Sequence, residues 1–134
     1  VRKLIITALA LAGLVAVVSL TQGRQEPTLR FIMQGKLDQA HSVLEALITE
    51  DYETLEDSAG ALRALSEEAG WFVNQTHEYA ERSTAFRSSV AEIEASAKEK
   101  DLERAALGYV DMTLQCVRCH RFLRGSARAS VAGR

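Results

Sequence analysis

From Leu29 onwards, apolar residues recur at intervals of three and four, interrupted by a few short polar corners. That interval places them on one face of an α-helix, which turns once every ~3.6 residues. The first helix is expected from about Pro27, a residue suited to a first helical turn. It continues through Leu29, Ile32, Met33, Leu37, Ala40, Val43, Leu44 and Leu47 to about Ile48. The Thr49-Glu50-Asp51 corner breaks the pattern and supplies a cap for the next helix. The second helix runs from about Tyr52 through Leu55, Ala59, Leu62, Leu65 and Ala69, and Gly70 ends it. Trp71 and Phe72 open a connector to Thr76, another cap, and the third helix uses Tyr79, Phe86, Val90, Ile93 and Ala97. A second corner at Lys100-Asp101 starts the fourth, whose core face carries Leu102, Ala106, Tyr109, Thr113, Cys116 and His120. Gly125 is expected to cap it, leaving 126–134 as a flexible tail. Four amphipathic helices of about twenty residues joined by short corners predict an all-α domain over residues 26–125. The expected arrangement is an antiparallel up-down-up-down four-helix bundle.

The residues ahead of that domain follow a different pattern. Arg2 and Lys3 precede an apolar run from Leu4 to Leu20, and Thr21 to Glu26 are polar. A positive start, an apolar stretch and a polar follow-on describe an export signal over residues 1–25. A removed signal is favoured over a retained membrane anchor through 4–20, which is barely long enough to span a bilayer. Either way the domain is expected outside the cytoplasm, in the periplasm or an equivalent compartment. The chain of 134 residues, 47% of them apolar, suits one domain with a packed core. Its formal charge of −2 conceals an asymmetry, because all 18 acidic residues lie between Glu26 and Asp111. After Asp111 come Arg118, Arg121, Arg124, Arg128 and Arg134 and no acid. A basic end this local gives no general nucleic-acid-binding character.

That basic end surrounds the most informative residues, Cys116-Val117-Arg118-Cys119-His120, which hold both cysteines of the chain. C-x-x-C-H is the attachment signal for c-type haem, in which two thiols add to the porphyrin vinyl groups and the imidazole binds iron. On a helix the three side chains fall within an arc of roughly 100°, so one face can hold the porphyrin edge and reach its metal. Other readings account for less. A structural zinc site wants four ligands, usually in two pairs, and only His41 and His77 remain, far apart and unpaired. A thioredoxin-like pair would sit beside a strand, and a plain disulfide leaves His120 without a role. Catalysis finds no support either: no nucleophile–base pair, no H-E-x-x-H and no glycine-rich phosphate loop occur. The expected cofactor is one covalently attached haem c per chain, in a protein that is not an enzyme.

The predicted topology also locates a second iron ligand. Met33 lies near the start of the first helix and His120 near the end of the fourth. At ~1.5 Å per residue both sit roughly 6–8 Å from the same end of an up-down bundle. A haem on the fourth helix would then meet Met33 from its other side, with His120 and Met33 as the two metal ligands. Met112 shares a helix with His120 and cannot reach that side. His41 is about 12 Å further along the first helix, and His77 reads as a solvated or capping residue.

With these residues in view, the chain resembles the class II c-type cytochromes, the cytochrome c′ family, over roughly Pro27 to Arg124. The resemblance rests on the four-helix pattern, the run Cys116 to Arg124, and the segment Leu29-Arg30-Phe31-Ile32-Met33. It implies a basic residue in a family role at Arg124, four positions after the histidine. It also implies one of two functions. A six-coordinate branch takes methionine from the first helix and transfers electrons to a redox partner protein. A five-coordinate branch has an apolar distal pocket and binds a small gas ligand such as nitric oxide or carbon monoxide. Family members commonly pair through their first two helices, which implies a homodimer. The connector from Gly70 to Thr76 is shorter than in many members. Trp71 and Tyr109 are candidates for contact with the porphyrin. Arg118, Arg121 and Arg124 are candidates for pairing with its propionates or for docking an acidic partner. Gly35 and Gly108, inside predicted helices, suggest close helix–helix or helix–haem approach.

Overall fold

The computed structural model describes residues 28–69 and 76–132, and those residues form four α-helices with no strand among them. They are α1 (Leu29–Thr49), α2 (Tyr52–Ala69), α3 (His77–Glu99) and α4 (Leu102–Ala132). The export segment, Pro27 and the connector carrying Trp71 lie outside the described residues.

Local capping chemistry sets most of the boundaries. The Phe31 N–H donates to Thr28 Oγ1 at 3.3 Å, so Thr28 caps α1, a role the sequence pattern had not assigned. Thr76 caps α3 in the same way, accepting from the Tyr79 N–H at 3.2 Å. The two corners share one construction. Glu50 and Lys100 each take the left-handed conformation, with φ of 56° and 57°, and close the preceding helix. The aspartate that follows then caps the next one. Asp51 accepts from the Thr54 N–H at 3.1 Å, and Asp101 accepts from the Arg104 N–H at 3.0 Å. The end of α4 departs from expectation. The helix continues through Gly125 to Ala132, so Gly125 is not its cap and residues 126–132 are helical. Nothing at Gly125 requires a stop, since its backbone is not left-handed.

Consecutive helices pack closely: α1 on α2, α2 on α3, and α3 on α4. The closing pair, α1 and α4, meets only sparsely. The arrangement is compatible with a four-helix bundle. Its core joins Val43, Ala46 and Leu47 of α1, Leu55, Ala59 and Leu62 of α2, Phe86, Val90, Ile93 and Ala97 of α3, and Ala105 and Met112 of α4. Between helices, Ser58 donates to Ser42 at 2.8 Å, Lys98 pairs with Glu56 at 3.5 Å, and Ser89 hydrogen-bonds Asp111. Gly108 lets α4 approach α3, because a Cβ there would lie 2.9 Å from Ile93 Cγ1. Gly35 faces Leu65 of α2 in a milder version of the same contact.

The apolar pattern misleads at several positions of α1 and α4. Leu37, Leu44 and Ile48, expected on the buried stripe of α1, are 50%, 41% and 75% exposed. On α4 the buried face is centred on Ala105, Gly108 and Met112, and Thr113 and His120 are exposed.

Candidate functional site

The loose closure of α1 against α4 leaves a cavity of about 390 Å³. From α1 it is lined by Met33, Lys36, Leu37 and Ala40; from α4 by Met112, Cys116, Val117, His120 and Arg124. Leu62 of α2 completes the wall. Helical spacing accounts for both sets. Met33, Lys36, Leu37 and Ala40 follow steps of three or four along α1, and Met112, Cys116 and His120 do so along α4. Two segments far apart in sequence thus face one space. Met33 and His120 border it together.

The cysteines are free and half-buried, with no disulfide between them. Cys116 packs against the core and opens into the cavity. Cys119 is one turn further along and outside the cavity lining. Burial pushes both thiols up from their ordinary range, and the Lys36 ammonium pulls both part of the way back. They are therefore protonated and weakly nucleophilic near neutral pH. Burial in turn holds the Lys36 ammonium below the usual lysine range. Its Nζ lies 4.7 Å from the centroid of the Phe86 ring, a cation–π contact across the bundle.

The remaining candidates fall on either side of this arrangement. Arg124 borders the cavity and is otherwise solvent-exposed, and Arg118 and Arg121 are exposed on α4. Tyr109 is half-buried against the core and does not line the cavity, so packing is the role its position gives it. His41 is exposed, and His77 is exposed beside Glu81 at 3.7 Å. Met112 is 1% exposed in the cavity wall. Among the described residues, no three His, Cys, Asp or Glu side chains converge as a self-sufficient metal-ion cluster.

Two participants had escaped the sequence reading. Lys36 stands one turn after Met33 on the same face, and a lysine on an apolar stripe was the available signal. Arg82 of α3 lies over the Phe122 ring of α4 at 4.9 Å and acts electrostatically on Cys119. Its sequence signal was weaker, a single charge one turn before Phe86. Comparison with models of protein families, with curated proteins and with solved structures finds no match to this chain.

Proposed function

We propose that this chain is a monohaem c-type cytochrome that carries electrons outside the cytoplasm, not an enzyme. In this reading the domain is an antiparallel up-down-up-down bundle. The cross-helix pairs Ser42–Ser58, Glu56–Lys98 and Ser89–Asp111 support that topology, their positions running in opposite senses along successive helices. The observation that carries the reading is the shared cavity. Met33 of α1 meets Cys116 and His120 of α4 across a space walled mainly by apolar side chains.

The residues fit the group they are asked to hold. Cys116 and Cys119 would hold the haem through two thioether bonds, each thiol adding its sulfur and its hydrogen across one vinyl group. Their free thiols meet that requirement. His120 would supply an imidazole ligand and Met33 a thioether, a pairing that would raise the reduction potential relative to two imidazoles. Bound there, the haem supplies one-electron exchange between ferric and ferrous iron. The protein's share is to keep the ligands in register and the surroundings apolar, which Leu37, Ala40, Leu62 and Met112 do.

The test is the absorption spectrum of the full chain produced with a cytochrome c maturation system. A pyridine haemochrome typical of two thioether bonds is expected, with sharp α and β bands on reduction. Met33→Ala is expected to keep the haem and convert the spectrum to high-spin. A high-spin wild-type spectrum that shifts with carbon monoxide would instead give the five-coordinate, gas-binding function. Colourless matured protein with both thiols open to alkylation refutes the haem reading altogether.

A further inference from the structure

The side of α4 turned away from the core carries an apolar row of its own. Leu107, Val110, Leu114 and Val117 are all exposed, Leu107 at 71%, and they follow steps of three and four along the helix. That spacing puts them on the opposite side of the helix from Ala105 and Met112, the centre of its buried face. Continued at the same steps, the row begins at Glu103 and ends at Arg121, both exposed. Alternating steps of three and four make the seam of a two-helix coiled coil, where a second helix interleaves its own row with the first. The row is also its own complement. About a midpoint at position 112, Glu103 mirrors Arg121, Leu107 mirrors Val117, and Val110 mirrors Leu114.

We propose that this row is the contact face of a symmetric homodimer in which α4 of one copy lies antiparallel to α4 of a second. A two-fold interface makes each contact twice. Leu107 of one copy packs on Val117 of the other, Val110 packs on Leu114, and Glu103 pairs with Arg121 at both ends. A parallel arrangement would instead set Arg121 against Arg121 and Glu103 against Glu103, so charge selects the antiparallel one. The charges beside the row are already engaged within their own copy. Arg104 is held by Glu92 and Glu99, and Asp111 accepts from the Ser89 hydroxyl and the Gln115 amide. Other occupants match the face less well. The run from Leu4 to Leu20 has no charge to offer Glu103 or Arg121. On α1 the exposed row of Leu37, Leu44 and Ile48 is interrupted by His41. The apolar part of the α4 seam spans only ~15 Å, short of a permanent interface, so the pairing is reversible. It stands independently of the haem reading, and it uses a different face from the first two helices, through which the resemblance implies pairing.

The deciding measurement is sedimentation equilibrium of the full chain from about 1 to about 200 µM, where a monomer–dimer equilibrium is expected. Leu114→Glu sets a carboxylate against Val110 of the other copy, twice per dimer, and is expected to raise the dissociation constant at least about tenfold. Glu103→Arg alone and Arg121→Glu alone are each expected to weaken pairing, and the two together to restore it. Within one copy these positions lie ~27 Å apart along the helix, so restoration reports contact between copies and nothing else. All three positions are exposed, and unchanged circular dichroism shows that each variant has kept its helices. A chain that stays monomeric at the highest concentration overturns the proposal. So does a double variant that pairs no better than the single ones. Dimers that survive Leu114→Glu but are lost in Ile48→Glu would put the interface on α1 and overturn it as well.

Discussion

A methyl group added at Gly108 would lie 2.9 Å from Cγ1 of the fully buried Ile93, whereas one added at Gly60 meets nothing within 4 Å. Both positions are helix interiors, where alanine is preferred over glycine by up to about 1 kcal/mol. Gly60→Ala is therefore expected to raise stability by about 0.5–1 kcal/mol. Gly108→Ala gains the same helix preference but forces α3 and α4 apart, and overpacking of this kind costs about 1–3 kcal/mol. The net expectation is a loss of up to about 2 kcal/mol, read as opposite shifts of the urea midpoint in the two variants. The sequence reading marked Gly108 and not Gly60, and only the fold shows which of the two faces a neighbour. Lys36 follows the same logic. Its place on an apolar stripe is legible from spacing, but its ring contact joins two helices that are not consecutive, and no local pattern encodes that.

The elements themselves were largely legible because their ends depend on local chemistry. The Thr49-Glu50-Asp51 and Lys100-Asp101 corners and the Thr76 cap form where side chains of those types sit beside periodic apolar runs. One corner makes a pH prediction. Hydrogen bonds from the Thr54 hydroxyl and backbone N–H hold the Asp51 carboxyl below its ordinary range. With the folded pKa depressed, its stabilising contribution is present above the unfolded value and is lost as pH falls through the folded one. Amide exchange at the start of α2 is expected to lose protection on acidification below the ordinary carboxylate range. Asp51→Asn, which keeps a cap without the ionisation, should remove that dependence. What escaped the pattern were features that tertiary packing decides. Leu37 and Ile48 fit the helical period as well as Val43 does, and only the packing of the folded chain separates them. The run of α4 beyond Gly125 was missed because a helical glycine and a capping glycine look alike in sequence.

At the scale of the molecule, charge is divided along the chain, with all acidic residues up to Asp111 and five arginines after it. Screening confines electrostatic influence to roughly 8–10 Å at moderate salt, so the charges beside the cavity outweigh the net charge of the whole. Arg118, Arg121 and Arg124 are exposed on the helix that carries His120. Oxidation of the reduced, matured protein by ferricyanide is therefore expected to slow as ionic strength rises from about 0.01 to about 0.15 M. Replacing the three arginines by glutamine should flatten that slope, and a slope unchanged by the replacement would place the docking surface elsewhere. The length of α4 has a further consequence. Its backbone continues three turns past His120, a reach of ~18 Å along one uninterrupted rod. A fluorophore tethered at the far tip would thus keep a fixed span to the cavity, short enough for energy transfer to any light-absorbing occupant. Loss of its emission could time the arrival of that occupant without a single change to the walls that receive it.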